Sequence, residues 1–587
     1  MNHHLWPAMR SSRRCASTSG GPRHLTLQAS SPVSASWGWF RASLTSSTGL
    51  LLAALVVLTL IGCGERAASP TATLTASPTA TTEPASPTAI AASDMSPGPS
   101  PQPSPTRSPM PTGTRPPNPV PVERALAPTF RSDADLLPNA TRYQIHLTLN
   151  VAEATLSGVQ KISYTNTETV PLDHLYLRLS RISPGYGGQM SVIDLAVDGQ
   201  PVSTRRELEG SALHVPLPSV LAPGAHADVT LAFTVKLPTD VHPADSRQPY
   251  DGYRQFGLYN GIAALANAYP IIPVYDDEGW NLELAPSYGD AVFSDVAFYE
   301  VSVTAPKGMR LVGSGTCLRT LQEAATTTWS CVAAPMRDFN AIVGNDYQLD
   351  TRDVDGIAVN SVFYAADGEG GAAALDYAAR ALRLFNAQIG PYPFAELDVV
   401  ETPTLAGGIE YPGLIVINES YYDSDQGVND RMEWVVVHET LHQWWYSLVG
   451  NDQVDEPWLD EALVQYCTAL YYEDRYGQEA LEVVVETSFR QSYRELQESG
   501  RDQPVGLPVA EYSRQNYGPV VYQKGPLYFH SLRQEVGLET FWKILATYLE
   551  KNRYGIARSH DWLEAVEDVT GNPYQSLYNQ WIHGAEE

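Results

Sequence analysis

The spacing of apolar residues changes twice along this 587-residue chain, and each change limits what the adjoining polypeptide can become. Up to about Pro128 there is no period. Residues 64–128 are rich in Ser, Thr, Ala and Pro and hold 16 of the chain's 44 prolines, a composition with too little apolar surface to offset the entropy of ordering. A disordered tether is expected there, able to reach on the order of 200 Å at about 3.1 Å per residue. After it the period becomes two: Tyr143, Ile145, Leu147 and Leu149 alternate with polar residues, as do Leu175, Leu177 and Leu179, then Tyr299, Val301 and Val303. Alternation of this kind marks strands with one face buried. With its Pro and Gly punctuation, it predicts an antiparallel β-sandwich over residues 139–347. From about Ala372 the period turns helical (AAALDYAARALRLFNAQIG) and stops at Gly390. Strand-like runs at 397–401 and 414–418 follow, and then helices to the end. The chain therefore reads as multidomain: a leader (1–63), a linker (64–128), a sandwich (139–347) and an α+β domain (348–587) with a short helical C-terminal tail. There is no internal repeat.

The leader carries its own signal. Residues 49–61 (GLLLAALVVLTLI) form an apolar run of about 13 residues, too short to span a bilayer comfortably, which reads as the core of a secretory signal. It ends Leu60-Ile61-Gly62-Cys63, similar to a lipobox whose cysteine is lipidated and becomes the mature N-terminus. The alternative is an uncleaved anchor with Cys63 inert, and both readings place the bulk of the chain outside the cytoplasm, at the cell surface or in the periplasm. The long basic lead of 46 residues points to a translation start further downstream. Net charge is −28, and because the first 63 residues hold five arginines and no acid, the remainder carries −33. A polyanion would be repelled, which argues against nucleic acid as a partner, while 43% apolar residues exclude wholesale disorder. Of five cysteines, Cys15 and Cys63 belong to the leader and Cys467 lies in an apolar helical pattern suited to a buried thiol. Cys317 and Cys331 flank a hairpin-like segment, where a disulfide closing about 15 residues adds roughly 3 kcal/mol.

The chemistry is concentrated at His438-Glu439-Thr440-Leu441-His442, inside residues 429–449, an apolar stretch read as one helix closed by Gly450. Two histidines four apart share a helix face, so their imidazoles can converge on one ion at about 2.0–2.1 Å, the bond length of Zn²⁺. Glu439 is turned by about 100° around the axis, out of the ligand set but near a water on the metal, whose proton it can take. This pentapeptide also arises by chance, so a third ligand is needed to decide. Pro457 opens a further helix in which Glu461 lies 18 residues past His442, and a helix-turn-helix returns its carboxylate to the two imidazoles. The competing reading of Glu461 is a first-turn acid favoured by the helix dipole.

With this spacing the sequence resembles the aminopeptidase N and leukotriene hydrolase family of gluzincin zinc metallopeptidases, whose motif is HExxH, 18 residues, then Glu. Two further segments carry the resemblance. Gly407-Gly408-Ile409-Glu410-Tyr411 is similar to the family's GxMEN exopeptidase strand, and Tyr522-Gln523-Lys524-Gly525 to its YxKG catalytic tyrosine motif. The similarity extends weakly over the sandwich from about Tyr143, some 445 residues in all, and implies a thermolysin-like catalytic domain over 348–587 with one Zn²⁺. It implies His438, His442 and Glu461 as metal ligands, Glu439 as general base and Tyr522 as donor to the oxyanion. Glu410 is implied as the anchor for a substrate's α-ammonium, for which a carboxylate is the fitting partner. Gly407 and Gly408 would let a substrate backbone approach the strand edge, although GGIEYPG is also turn chemistry. Tyr411 stands where the family usually has Asn.

Other residues have plainer readings. Asp460 and Glu433 are candidates for orienting the ligand rings but also fit exposed helical carboxylates. Lys524 reads as a solvated lysine, and Trp444, Trp445 and Tyr446 as core or cleft wall. Residues 266–280 (ANAYPIIPVYDDEGW) occupy the place of the family's substrate-contacting sandwich motif but differ from it, so side-chain preference does not transfer. Only 65 residues follow Tyr522, fewer than in aminopeptidase N-like members, and a more open cleft is expected. The expected function is hydrolysis of the N-terminal peptide bond of peptides with a free N-terminus, by an enzyme tethered through lipidated Cys63. The rivals are a thermolysin-type endopeptidase, which needs the metal but not Glu410, and an inactive surface-binding lipoprotein. The latter is disfavoured because every residue the chemistry requires is present.

Overall fold

A computed structural model describes residues 120–179, 189–239, 252–284, 288–289, 293–422 and 431–584. The apolar run 49–61, Cys63 and most of the proline-rich segment lie outside them. Among the described residues no helix is long and apolar enough to cross a membrane.

The sandwich region follows from the alternation. In strand Arg142–Asn150 every second residue is buried, and strand Thr155–Thr165 repeats the pattern over eleven residues. An eight-stranded sheet runs Thr316–Gln322, Thr326–Met336, Ala297–Pro306, Arg142–Asn150, Thr155–Thr165, His226–Lys236, Gln189–Val197, Gln200–Pro201. The antiparallel expectation fails at one place: Arg142–Asn150 pairs parallel with Ala297–Pro306, in register from Arg142 opposite Phe298 to Thr148 opposite Thr304. Alternation reports which face is buried and carries no information on strand direction, so the sequence pattern was blind to this. Cys317 and Cys331 face each other across antiparallel strands and form a disulfide.

A four-stranded sheet (Arg310–Gly313, Ala341–Gly344, Ile262–Leu265, Phe256–Tyr259) joins the sandwich to the α+β domain. Its Ile262, Ala264, Val312 and Ile342 pack in one apolar cluster with Tyr347, Val362, Val400, Ile409, Tyr411, Leu414 and Val416. The two regions therefore share core. A boundary between residues 347 and 348 cuts through that cluster, since Tyr347 also begins the first strand of the next sheet.

That next sheet runs Tyr347–Val354, Ile357–Tyr364, Glu396–Thr402, Leu414–Asn418, Gly408–Ile409. Its central strands are parallel, and its last strand is a short antiparallel edge with Gly408 opposite Ile417. Helix Gly368–Gln388 covers it with Ala374, Leu375, Ala378, Ala381, Leu382 and Phe385 on the buried side. The helix starts four residues before the apolar period suggests. Gly370 and Gly371 are poor helix formers, but they admit Tyr422 and Phe363 so closely that a β-carbon would lie 2.8 Å and 2.2 Å from those side chains or their backbone.

The linker also ends earlier than residue 128. Val122–Ala125 and Pro128–Asp135 are 3₁₀ turns, Ala125 and Leu126 are buried, and Leu126 bridges Phe394 while the Ala127 amide donates to Pro393 O at 2.8 Å. Val122, Ala125 and Leu126 break the Pro/Ser/Thr composition, and that small apolar surface suffices to dock the segment.

Candidate metal centre and active site

Helix Met432–Leu441 carries His438 and Glu439 and is buried along most of its length. It is shorter than the stretch read from sequence: residues 429–430 lie outside the described residues, and at the other end the helix stops at Leu441, not Val449. His442 is the C-cap residue, its amide still bonded to His438 O at 3.3 Å, so the two imidazoles keep their shared face. Beyond it the chain makes a buried hook through Trp444, Trp445 and Tyr446 to Gly450. Apolar periodicity continues through this hook because its residues are as buried as those of a core helix.

Glu461 opens helix Glu461–Tyr476 after a 3₁₀ turn at Pro457–Leu459, and Asp460 caps it by accepting from the Glu461 amide at 2.6 Å. The three donors meet. His438 Nε2 and His442 Nε2 are 3.1 Å apart, and Glu461 Oε2 lies 3.4 Å from the first and 3.7 Å from the second. Donors of a tetrahedral Zn²⁺ at bond lengths near 2.0–2.2 Å stand about 3.3 Å from one another, so this set fits such an ion. Glu461 Oε2 is buried without a hydrogen-bond donor of its own. His442 Nδ1 lies 3.0 Å from Trp445 O, and since a carbonyl only accepts, Nδ1 carries a proton and Nε2 is the ring nitrogen left facing the cluster. His438 Nδ1 is buried with no hydrogen-bond partner among the described residues.

The charges around these donors support the fit. Burial pushes Glu439 well above the ordinary carboxylate range, with Glu410 and Glu461 adding and His442 opposing. Burial also raises Glu410, opposed by His442 and helped by Glu461, and it pushes Asp460, beside Glu461, up to about 8. Burial opposes ionisation of Glu461 too, yet the His442 and His438 rings hold that carboxyl well below its ordinary value. Burial likewise opposes charge on His442, but Glu461, Glu410 and Asp460 outweigh it and raise this imidazole well above its ordinary value. Four carboxyl groups thus crowd two imidazoles in one buried cluster, where burial holds protons on Glu439, Glu410 and Asp460 that a bound dication would favour releasing.

The edge strand meets the helix through a glycine. A β-carbon on Gly408 would fall 2.5 Å from Glu439 Cγ and Oε1, so the Glu439 side chain occupies the space a side chain would need. Gln443 ties the end of the helix to the loop after that strand: its Oε1 accepts from the Gly413 amide at 2.8 Å and its Nε2 donates to Tyr411 O at 3.1 Å. Glu410, 7% exposed, is held between this loop and Gln453, which hydrogen-bonds its carboxylate. Tyr411 is buried in the shared apolar cluster. Tyr522 lies in a widened helical turn, Gly518–Lys524, with its ring centroid 6.3 Å from that of His438 at an interplanar angle of 28°.

The remaining expectations are corrected by packing. Glu433 orients neither ligand ring: it accepts from Tyr471 at 2.9 Å, Tyr476 at 2.7 Å and Arg475. Asp460 caps Glu461 and accepts from Gln453 at 2.7 Å. Lys524 is buried rather than solvated, with Nζ 2.6 Å from Asp502 and 2.7 Å from Gln503 O, which fixes the turn carrying Tyr522. The group that does orient His442, the Trp445 carbonyl, belongs to the backbone, and no residue type in the sequence announces it.

Comparison with known proteins agrees with this architecture. Residues 373–581 match the peptidase family M1 domain. Aminopeptidase M1-A of Oryza sativa subsp. japonica is 27% identical over 252 residues, covering 41% of this chain and 28% of that protein. The mitochondrial aminopeptidase 2 of Saccharomyces cerevisiae is 29% identical over 231 residues, 37% of this chain and 24% of that protein. The chain thus spans about a quarter of the length of the curated relatives it matches. Among solved structures, an M1 zinc metallopeptidase mutant from Deinococcus radiodurans shares the fold with a TM-score of 0.58 at 20% identity, covering 76% of this chain and 95% of that one. The same enzyme bound to a Tyr-Ser-Ala substrate gives 0.57 at 19%. The match to the peptidase family M1 domain is confined to residues 373–581, and together with these likenesses it supports an aminopeptidase N-like gluzincin domain there.

Proposed function

We propose that this protein is a zinc-dependent aminopeptidase that hydrolyses the N-terminal peptide bond of peptides. The observation that carries the reading is Glu410, a buried carboxylate on the loop of the edge strand, in the same electrostatic cluster as Glu439, His442 and Glu461. A buried acid just past the sheet's edge strand, with no lysine or arginine paired to it among the described residues, suits a substrate's α-ammonium, and an endopeptidase has no use for it. The related proteins named as aminopeptidases, and a solved neighbour holding a tripeptide, support the same assignment.

His438, His442 and Glu461 would hold the Zn²⁺. When bound, the ion supplies Lewis acidity that lowers the pKa of a coordinated water to about 7. Glu439, whose burial keeps its basicity high, takes a proton from the attacking water and returns it to the leaving amine. Glu410 anchors the free amine and so sets the first carbonyl, rather than a later one, at the point of attack. Tyr522 donates its phenol hydrogen to the oxygen on which negative charge develops.

The test compares aminoacyl reporter amides with their N-acetylated counterparts, with and without chelator. Free-amine substrates should be cleaved in a chelator-sensitive manner and blocked ones should not. The Glu410→Ala enzyme should lose this preference. Equal cleavage of free and blocked substrates by both forms would reject the aminopeptidase reading in favour of an endopeptidase.

The short apolar run 49–61 followed by Cys63 further supports a lipoprotein tethered on the extracytoplasmic side of a membrane, with the proline-rich segment as spacer. Mass analysis of the mature N-terminus, beside a Cys63→Ser form, tests it. An unmodified Cys63 would reject the tether.

A further inference from the structure

We infer that Arg337, at the sandwich end of the shared core and outside the matched family region, is a positioning residue for the metal ligand His442. The inference rests on the metal-site reading above. His442 Nδ1 is aimed by the Trp445 carbonyl, and where that carbonyl points depends on the next residue. Tyr446 has φ 122°, a conformation side-chain-bearing residues adopt only where their surroundings enforce it.

Arg337 and its neighbour Asp338 provide that enforcement. Arg337 is 2% exposed. Its Nε donates to Tyr446 O at 2.5 Å and its Nη2 to Leu448 O at 3.4 Å and to Gly555 O, while Nη1 reaches Ser294 O at 3.0 Å. The Tyr446 phenol donates to Asp338 Oδ2 at 2.9 Å, so one tyrosine is held at its carbonyl and at its ring by consecutive sandwich residues. Its amide closes the hook on Val449 O at 2.8 Å. Arg337 is itself fixed, because its own carbonyl accepts from Ser294 and Tyr299, each at 3.0 Å. Gly450 is shaped to this arrangement: a β-carbon there would lie 2.3 Å from Arg337 Cζ.

The guanidinium thus connects three parts of the chain around one hook: the sandwich at Ser294, the segment following the ligand helix at Tyr446 and Leu448, and the C-terminal helical region at Gly555. Its planar fork matches these diverging carbonyls, which a lysine ammonium cannot do in the same way. Loosening the hook lets the Trp445 carbonyl turn away and frees the His442 ring, and loss of such a partner typically lowers metal affinity about 10–100-fold.

The test measures Zn²⁺ affinity of the whole protein by competition with a chromophoric chelator, together with the visible spectrum of the Co²⁺-loaded form and thermal unfolding of the metal-free form. Three variants are compared: Arg337→Lys, Gly450→Ala, which displaces the guanidinium without removing it, and Tyr446→Phe, which removes only the phenol anchor. Arg337→Lys and Gly450→Ala should weaken Zn²⁺ about 10–100-fold and shift the Co²⁺ spectrum, with Tyr446→Phe intermediate. If Arg337→Lys does not fold, the other two decide. Lower thermal stability with unchanged affinity and spectrum would show Arg337 to be structural glue only and would overturn the inference. A wild-type protein that binds no Zn²⁺ would instead overturn the metal-site reading, and this inference with it.

Discussion

Gly408 and Glu439 occupy one another's space: the missing side chain of the first is filled by the carboxylate of the second, whose Oε1 lies 2.5 Å from where a β-carbon would stand. The strand edge and the helix carrying Glu439 are thereby locked in register. The Gly408→Ala substitution must push Glu439 aside or open the strand. A displacement near 1 Å typically costs about 100-fold in rate, so kcat should fall roughly 10–100-fold with Zn²⁺ content unchanged. In a Glu439→Gln background the same change should add little, because the group it displaces no longer acts as base. Full additivity of the two losses would argue that Gly408 serves substrate backbone and not the base.

Tyr522 is close to the His438 ring but is not one of the three metal donors. Removing its hydroxyl by Tyr522→Phe should leave metal binding and KM nearly unchanged while lowering kcat about 10²–10³-fold, as for loss of one oxyanion donor. Steady-state kinetics on an aminoacyl amide, with Zn²⁺ quantified in the same preparation, separates this from a packing role, in which the two parameters would be unaffected.

Metal removal should have both chemical and structural consequences. Dialysis against a chelator should abolish hydrolysis, and one equivalent of Zn²⁺ should restore it. Because the ion relieves the crowding of Glu410, Glu439, Asp460 and Glu461, it should also raise the unfolding temperature, by an amount equivalent to about 2.7 kcal/mol at free metal 100-fold above Kd. Calorimetry of apo and reloaded protein gives the comparison. Identical unfolding curves would show that the cluster takes up no metal when folded.

Away from the metal, Glu401 supplies a pH dependence. Burial is the main cause that lifts its pKa from 4.5 to about 9; Asp367 adds to the shift, while the Tyr364 amide, donating at 2.8 Å, opposes it. Between those two values the folded chain keeps a proton that the unfolded chain has released. Its contribution to stability is therefore complete below the unfolded pKa and is lost as pH rises toward the folded one, at no more than about 1.4 kcal/mol per pH unit for one proton. The Glu401→Gln protein, neutral throughout, should unfold at a higher temperature than wild type near pH 9 and show a flatter dependence from about pH 5 upward. Parallel curves for the two proteins would exclude Glu401 as the titrating group.

What was legible from sequence was whatever depends on local geometry. The i, i+4 spacing places His438 and His442 on one face of any helix, and strand alternation picks out Tyr143, Ile145, Leu147 and Leu149 as buried, because both periods are properties of the backbone over a few residues. The Glu461 spacing was read as a helix-turn-helix opened by Pro457 that returns the carboxylate to the imidazoles, and the donors do meet. Less legible was where elements stop and which way strands run. Trp444, Trp445 and Leu448 continue an apolar pattern past the real helix end, since a buried hook and a buried helix place similar demands on side-chain chemistry.

The sequence alone therefore determined the identity and local arrangement of the candidate site groups: two imidazoles, a carboxylate one residue along, and another carboxylate on the next helix. Only the tertiary structure decided what holds them. The His442 ring answers to a backbone carbonyl at Trp445, turned by a positive φ at Tyr446 and gripped by Arg337, more than a hundred residues earlier in the chain. Glu433, Asp460 and Lys524 found partners other than those their positions suggested. The physical reason is that side-chain periodicity is set over one or two turns, whereas hydrogen bonds to buried carbonyls and carboxylates are made by whichever distant donor packing brings within about 3 Å.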